Sequence, residues 1–151
     1  RSTEVIESTF DQSEKLCVCV AFSGDSFLSN KSQFTKLHQL GVKFPKERYI
    51  YKEWDDDDEC YLNYMFFTIE KSELRKFLFG KMANELGIQP SYWFDLYIYD
   101  PELEVLAHPY DDRGMDLAGS NKVVLSRIYK QFNNWLLNYD LSSMNKWFDN
   151  F

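Results

Sequence analysis

Residues 15–22, Lys-Leu-Cys-Val-Cys-Val-Ala-Phe, form a nearly continuous β-favouring run with no charge after its first position. A strand with one wet face shows a polar residue at every second position. This run does not, so it reads as a strand buried on both faces. The rest of the chain must supply its cover. Ser23-Gly24-Asp25-Ser26 ends the run with turn formers.

The flanking segments alternate between the two periodicities. Residues 3–10 predict a short helix with Val5, Ile6, Thr9 and Phe10 on one side. Residues 30–40 predict another, with Phe34, Leu37 and Leu40 inward and Gly41 just past its end. Segments 48–54 and 60–69 are aromatic and β-branched, hence strands. The acidic run between them is then a hairpin loop. A helix over 72–86 follows, with Ser72 as N-cap and Leu74, Phe77, Leu78, Met82 and Leu86 as its stripe. Gly80 inside it costs on the order of 1 kcal/mol against Ala.

Three short strands come next, at 93–99, 103–109 and 115–118, turning at Pro101 and at 111–114. In the first, Phe94, Leu96 and Ile98 share one face. Trp93, Asp95, Tyr97 and Tyr99 share the other, a half-polar face that meets solvent, a partner or a polar pocket. A long helix from Ser120 or Asn121 to about 138 carries Val124, Ile128, Phe132, Trp135 and Tyr139. A last amphipathic helix gathers Met144, Trp147, Phe148 and Phe151. Hairpins mixed with helices, without strict β-α alternation, indicate α+β: a mainly antiparallel sheet of hairpins packed by helices, two of them C-terminal. With 151 residues, and no repeat or linker, residues 1–151 read as one domain.

Aromatic residues make up 18% of the chain, ten Tyr, thirteen Phe and four Trp. Some of the tyrosines must face water or a partner. The formal net charge is −7, and the negative excess sits in two places. Segment 53–59 holds six acids and no base; segment 95–116 holds seven acids against Arg113 alone. Brought together, they would form one acidic face. Such a chain is a poor ligand for nucleic acid or anionic lipid, which need a basic footprint, and a good one for a basic protein. No apolar stretch approaches the roughly 18 residues of a membrane span. The first twenty residues lack the basic and apolar regions of a secretion signal, though a start at Arg1 leaves room for a removed upstream piece. The expected compartment is the cytoplasm.

The stretch from His108 to Ala118 carries Tyr110-Asp111-Asp112-Arg113-Gly114-Met115-Asp116, and Tyr129 to Asp140 carries Trp135 and Tyr139-Asp140. This part of the chain, over roughly residues 94–150, resembles the bacterial domain-of-unknown-function (DUF) 3885 family. Members have a Tyr-Asp-Asp-Arg-Gly-x-Asp hairpin, then a helix with Tyr and Trp-x-x-x-Tyr-Asp. The resemblance implies a small bacterial protein and brings neither a catalytic residue nor a reaction. The motif also has a purely structural reading. Asp111 and Asp112 suit a tight turn, Gly114 permits positive φ, and Arg113 can pair with a neighbouring carboxylate.

Signals for chemistry are sparse. The three cysteines, Cys17, Cys19 and Cys60, are too few for a disulfide framework and read as buried reduced thiols. His38 and His108 have no Cys or His at metal-ligand spacing. The Asp55–Glu59 run lacks the glycine of a calcium loop. There is no nucleophile elbow and no phosphate loop. No catalytic residue, metal or cofactor is assigned.

The leading expectation is an acidic protein-binding module, in its most concrete form an immunity-type inhibitor of a basic toxin such as a nuclease. Its contact residues would be Trp54, Asp55, Asp56, Asp57, Asp58 and Glu59, then Asp111, Asp112, Arg113 and Asp116. The alternatives are a small enzyme using His108 with Asp95 and Asp116, and a housekeeping domain whose acidity keeps it soluble.

Overall fold

In the computed structural model, which describes residues 1–25, 31–89, 92–111 and 113–148, six strands and five α-helices follow one another. They are α1 (Ser2–Thr9), β1 (Lys15–Gly24), α2 (Lys31–Gln39), β2 (Tyr49–Asp55), β3 (Cys60–Glu70) and α3 (Leu74–Glu85). Then come β4 (Asp95–Asp100), β5 (Val105–Pro109), β6 (Met115–Gly119), α4 (Lys122–Gln131) and α5 (Leu141–Phe148). All strands join one antiparallel sheet in the order β2-β3-β1-β4-β5-β6. The α+β class expected from the sequence is the one observed. Phe151 of the expected last helix lies outside the described residues.

The apolar run of β1 sits third of six and pairs along its length with β3. Its two faces are covered differently. Leu16, Val18, Val20 and Phe22 meet Phe67, Met65, Leu96 and Ile98 from neighbouring strands. Over them lie Ile6 of α1 and Phe10 just after it, Leu37 of α2, Leu74, Phe77 and Leu78 of α3, and Val124 and Leu125 of α4. Phe22, Phe34, Phe44, Phe67 and Phe77 form a chain of ring contacts at 5.1–5.9 Å through this core. Much of the phenylalanine content is explained there. Among the described residues no helix lies over the other face, bearing Cys17, Cys19 and Ala21. On that side the expectation of a strand buried on both faces is met by side chains of the flanking strands. Cys19 is 5% exposed because Phe66 and Tyr97 stand beside it in register.

Two helices differ from the sequence expectation. A 3-10 turn at Lys71–Glu73 precedes α3, and Ser72 sits within it rather than capping the helix. At the far end Ile88 N–H donates to Ala83 O, and Gly87 adopts φ +67, a left-handed stop. Gly80 is there for space: a Cβ would lie 3.2 Å from Leu40 and 3.3 Å from the Phe94 ring, so the bare backbone lets α3 approach the sheet. The helix expected to run to 138 stops at Gln131. Phe132 leaves helical geometry (φ −111, ψ 22), and Asn133–Trp135 form a 3-10 turn. Adjacent asparagines, Asn133 and Asn134, compete for backbone hydrogen bonds and weaken the helix there. Asn121 accepts from Val124 N–H at 3.2 Å and caps the start of α4, as expected.

Candidate functional site

Both acidic segments form hairpins, and an aspartate at each turn does structural work. Asp55 Oδ1 accepts the N–H groups of Asp57 (3.0 Å) and Asp58 (3.3 Å). Asp100 Oδ1 does the same for Glu102 (2.8 Å) and Leu103 (3.0 Å). In each loop the residue before the next strand is a glutamate with positive φ, Glu59 at 49° and Glu104 at 53°. The two turns are one device used twice. Asp111 serves the third turn, accepting from Arg113 N–H at 2.7 Å and from Gly114 N–H. Those two backbone donors hold its carboxyl below the ordinary aspartate range.

The remaining sequence candidates divide. Trp54 packs edge-on against Tyr61 (centroids 5.1 Å apart) and donates from Nε1 to Asp56 Oδ1 at 2.9 Å. Asp57, Asp58 and Glu59 are exposed at the hairpin tip, and no ion pair among the described residues involves them. Asp116 accepts from the Tyr110 hydroxyl at 3.1 Å, and Arg113 is exposed. Asp112 lies outside the described residues. The registers place the 55–60 hairpin and the 110–114 turn at the same end of the sheet but at opposite edges. Four interstrand spacings make that roughly 19 Å. Asp100, Glu102 and Glu104 are at the other end altogether. The two acidic segments therefore do not merge into one patch.

His108 and Asp116 face each other across β5 and β6, but Asp116 accepts from Tyr110, and the buried His108 Nε2 has no hydrogen-bond partner among the described residues. The imidazole stacks on Tyr97 at 4.2 Å and meets Tyr110 edge-on at 5.7 Å. Asp95 is held at 2.8 Å by Lys81, a nearly buried lysine from α3. Among the described residues no group of three His, Cys, Asp or Glu is placed to hold a metal. Burial pushes the Cys19 thiol up to about 12, which keeps it protonated and inert.

What the fold does assemble is a cavity of about 860 Å³ between β6, α4, the 3-10 turn and α5, bordered by the start of α1. Its walls are largely apolar: Val5, Met115, Leu117, Leu125, Ile128, Phe132, Leu136, Met144 and Phe148. Around them stand Tyr110, Arg113, Asp116, Tyr129, Trp135, Tyr139 and Asp140. They are far apart in sequence and were singled out there as one motif. Arg1 lies over the Trp135 ring at 5.6 Å and Lys122 over Trp147 at 4.7 Å. Tyr129 stacks on Phe148 at 4.4 Å and donates to Asn145, tying α5 to α4. No residue of α5 is buried. Leu137, Tyr139 and Trp147 are exposed at the rim. Sequence reasoning named the motif but missed the apolar walls, because their residues read as ordinary core positions.

Residues 1–140 match the family described as Domain of unknown function (DUF3885). The chain belongs to the DUF3885 family. The match reaches well upstream of the stretch that carries the resemblance and stops just before α5. No curated protein and no solved structure matches this DUF3885 chain. Among the described residues no helix is long and apolar enough to cross a membrane.

Proposed function

We propose that this chain is a protein-binding module for a basic partner, with the cavity between β6, α4 and α5 as its anchor site. The observation that carries the reading is the convergence of the motif side chains on one large apolar cavity. A concave apolar site ringed by a few polar groups suits insertion of a partner's apolar anchor. The basic character of the partner rests on the net charge of −7 and on the outward carboxylates of Asp57, Asp58 and Glu59. Charge of one sign speeds capture of the opposite sign, and burial of an anchor then sets the lifetime of the complex. An inhibitor of a basic bacterial toxin, held in the cytoplasm, is the most specific form of this reading.

Co-purification of the tagged chain from its native host tests it, with Leu137→Arg and a joint Asp57→Asn, Asp58→Asn, Glu59→Gln variant alongside. Both variants change exposed positions and are expected to fold. A basic protein recovered at low salt is the expected result, lost with the rim substitution and weakened by neutralising the hairpin. Recovery indifferent to both variants, or of an acidic partner, overturns the reading.

A further inference from the structure

The face of the sheet that no helix among the described residues covers has its own organisation. Across the six strands the registers align Tyr49, Phe66, Cys19, Tyr97, His108 and Asp116 in one row. The next row toward the hairpin tips holds Tyr51, Tyr64, Ala21 and Asp95. On the opposite side of the first row stand Thr68, Cys17, Tyr99 and Leu106. The central strand contributes only small side chains, and aromatic rings rise on both sides of it. Tyr49 is 66% exposed, Tyr51 47% and Phe66 42%. An aromatic area this size, left open on a sheet, is a mark of an interaction surface.

The charges on this face are almost all of one sign. Glu53, Asp95 and Asp116 lie on it; Asp95 is already bound by Lys81 at 2.8 Å, and the face's Lys15 is paired with Glu70 at 3.7 Å. The acidic hairpin tip continues it at one end. The Tyr49–Phe66 and Tyr51–Tyr64 rings stand 6.1 and 6.0 Å apart at tilts of 44° and 40°, so neither pair is closed by tight stacking. Nucleobases also stack on rings, but their phosphates would meet these carboxylates. A second copy docked face to face would bring two surfaces of like charge together. A cationic planar group meets neither obstacle.

We propose that this uncovered face reads arginine: guanidinium groups of an extended basic segment lie on the Tyr49, Tyr51 and Phe66 rings and pair with Glu53 and the acidic hairpin tip beside them. The inference rests on the reading of a basic partner and adds to it a second contact surface, separate from the cavity. Arginine is favoured over lysine because its flat, weakly hydrated guanidinium stacks on a ring while its edge bonds a carboxylate. An ammonium is a compact, strongly hydrated charge. Two such stacked contacts at exposed sites multiply to about tenfold in affinity.

The test titrates the full chain with deca-arginine and deca-lysine peptides at low salt, followed by calorimetry. The arginine peptide is expected to bind a few-fold more tightly, because lysine gains only part of the same ring attraction. In a Tyr51→Ser, Phe66→Ser double variant, shown to be folded by its thermal melt, that advantage falls to near unity, with arginine binding weakened more than lysine binding. Equal affinity for the two peptides overturns the arginine-reading face and leaves the basic-partner reading standing. An arginine preference that survives in the double variant places the contact elsewhere and also overturns the proposal. Binding of neither peptide removes both readings. A single-stranded oligonucleotide that competes for the face would replace a basic segment as its occupant.

Discussion

On the helix-covered face, Val18 sits between Phe67 and Ile98, and all three are essentially shut off from solvent. One residue along the same strand, Cys19 sits between Phe66 and Tyr97, and Phe66 stands nearly half in water. The first face is closed by a second layer of structure. The second is closed only at its centre, by rings leaning over small residues. An apolar strand thus needs no helix on both sides; wide neighbours shield a narrow residue, and their own outer surfaces become available for binding.

The contrast is broken most directly by truncating matched positions. Leu96→Ala removes a fully buried side chain and should cost about 2–5 kcal/mol in urea denaturation. Phe66→Ala, two strands away on the open face, should cost well under half of the Leu96 value. Similar losses at the two positions would mean that the open face is part of the core.

A second comparison concerns the strand edge. A Cβ on Gly119 would collide with the Glu104 carbonyl, so backbone must move. Gly119→Ala should therefore destabilise by about 1–3 kcal/mol, against a few tenths for Ala118→Gly beside it on the open face. An unchanged melt for Gly119→Ala would show that the β5–β6 hairpin yields easily.

The hairpin aspartates sharpen the difference between structural and outward acids. Asp111 has a depressed folded pKa, so its contribution is complete above the ordinary aspartate range and is lost as pH falls through the folded value. Asp111→Asn should lower stability by about 1 kcal/mol at pH 7 and by progressively less on acidification. Joint neutralisation of Asp57 and Asp58 should leave stability unchanged or raise it slightly at pH 7. A pH-independent deficit for Asp111→Asn would remove the charged turn device.

The smallest effect is chemical. At pH 8 in the folded state Cys17 and Cys60 should react with iodoacetamide, and Cys19 only after unfolding, because its thiol is buried and pushed up to about 12. Rapid labelling of Cys19 would mean that the rings above it open.

Much of this was legible in the residues. Phe94, Leu96 and Ile98 alternate with Trp93, Asp95 and Tyr97, and the strand faces followed from that period of two. The end of α3 at Gly87 and the cap at Asn121 were readable because they are local. Gly80 was readable only as a defect, since its reason is Phe94 on a different element. The stripe from Val124 to Tyr139 suggested one helix. It breaks at Phe132, and Tyr139 ends 91% exposed. Helical spacing of apolar residues persists across a bend and does not report it.

By itself, then, the sequence determined the strands, most of the helices, the α+β class and the acidic turns, all set by neighbours within a few residues. Tertiary structure alone decided that β1 is flanked by β3 and β4, and that the acidic hairpins lie at opposite edges. It also gathered Tyr110, Arg113, Tyr129, Trp135 and Asp140 around one cavity. The reason is physical: strand order and helix docking are chosen by burial among residues distant in the chain, a quantity that no local pattern contains.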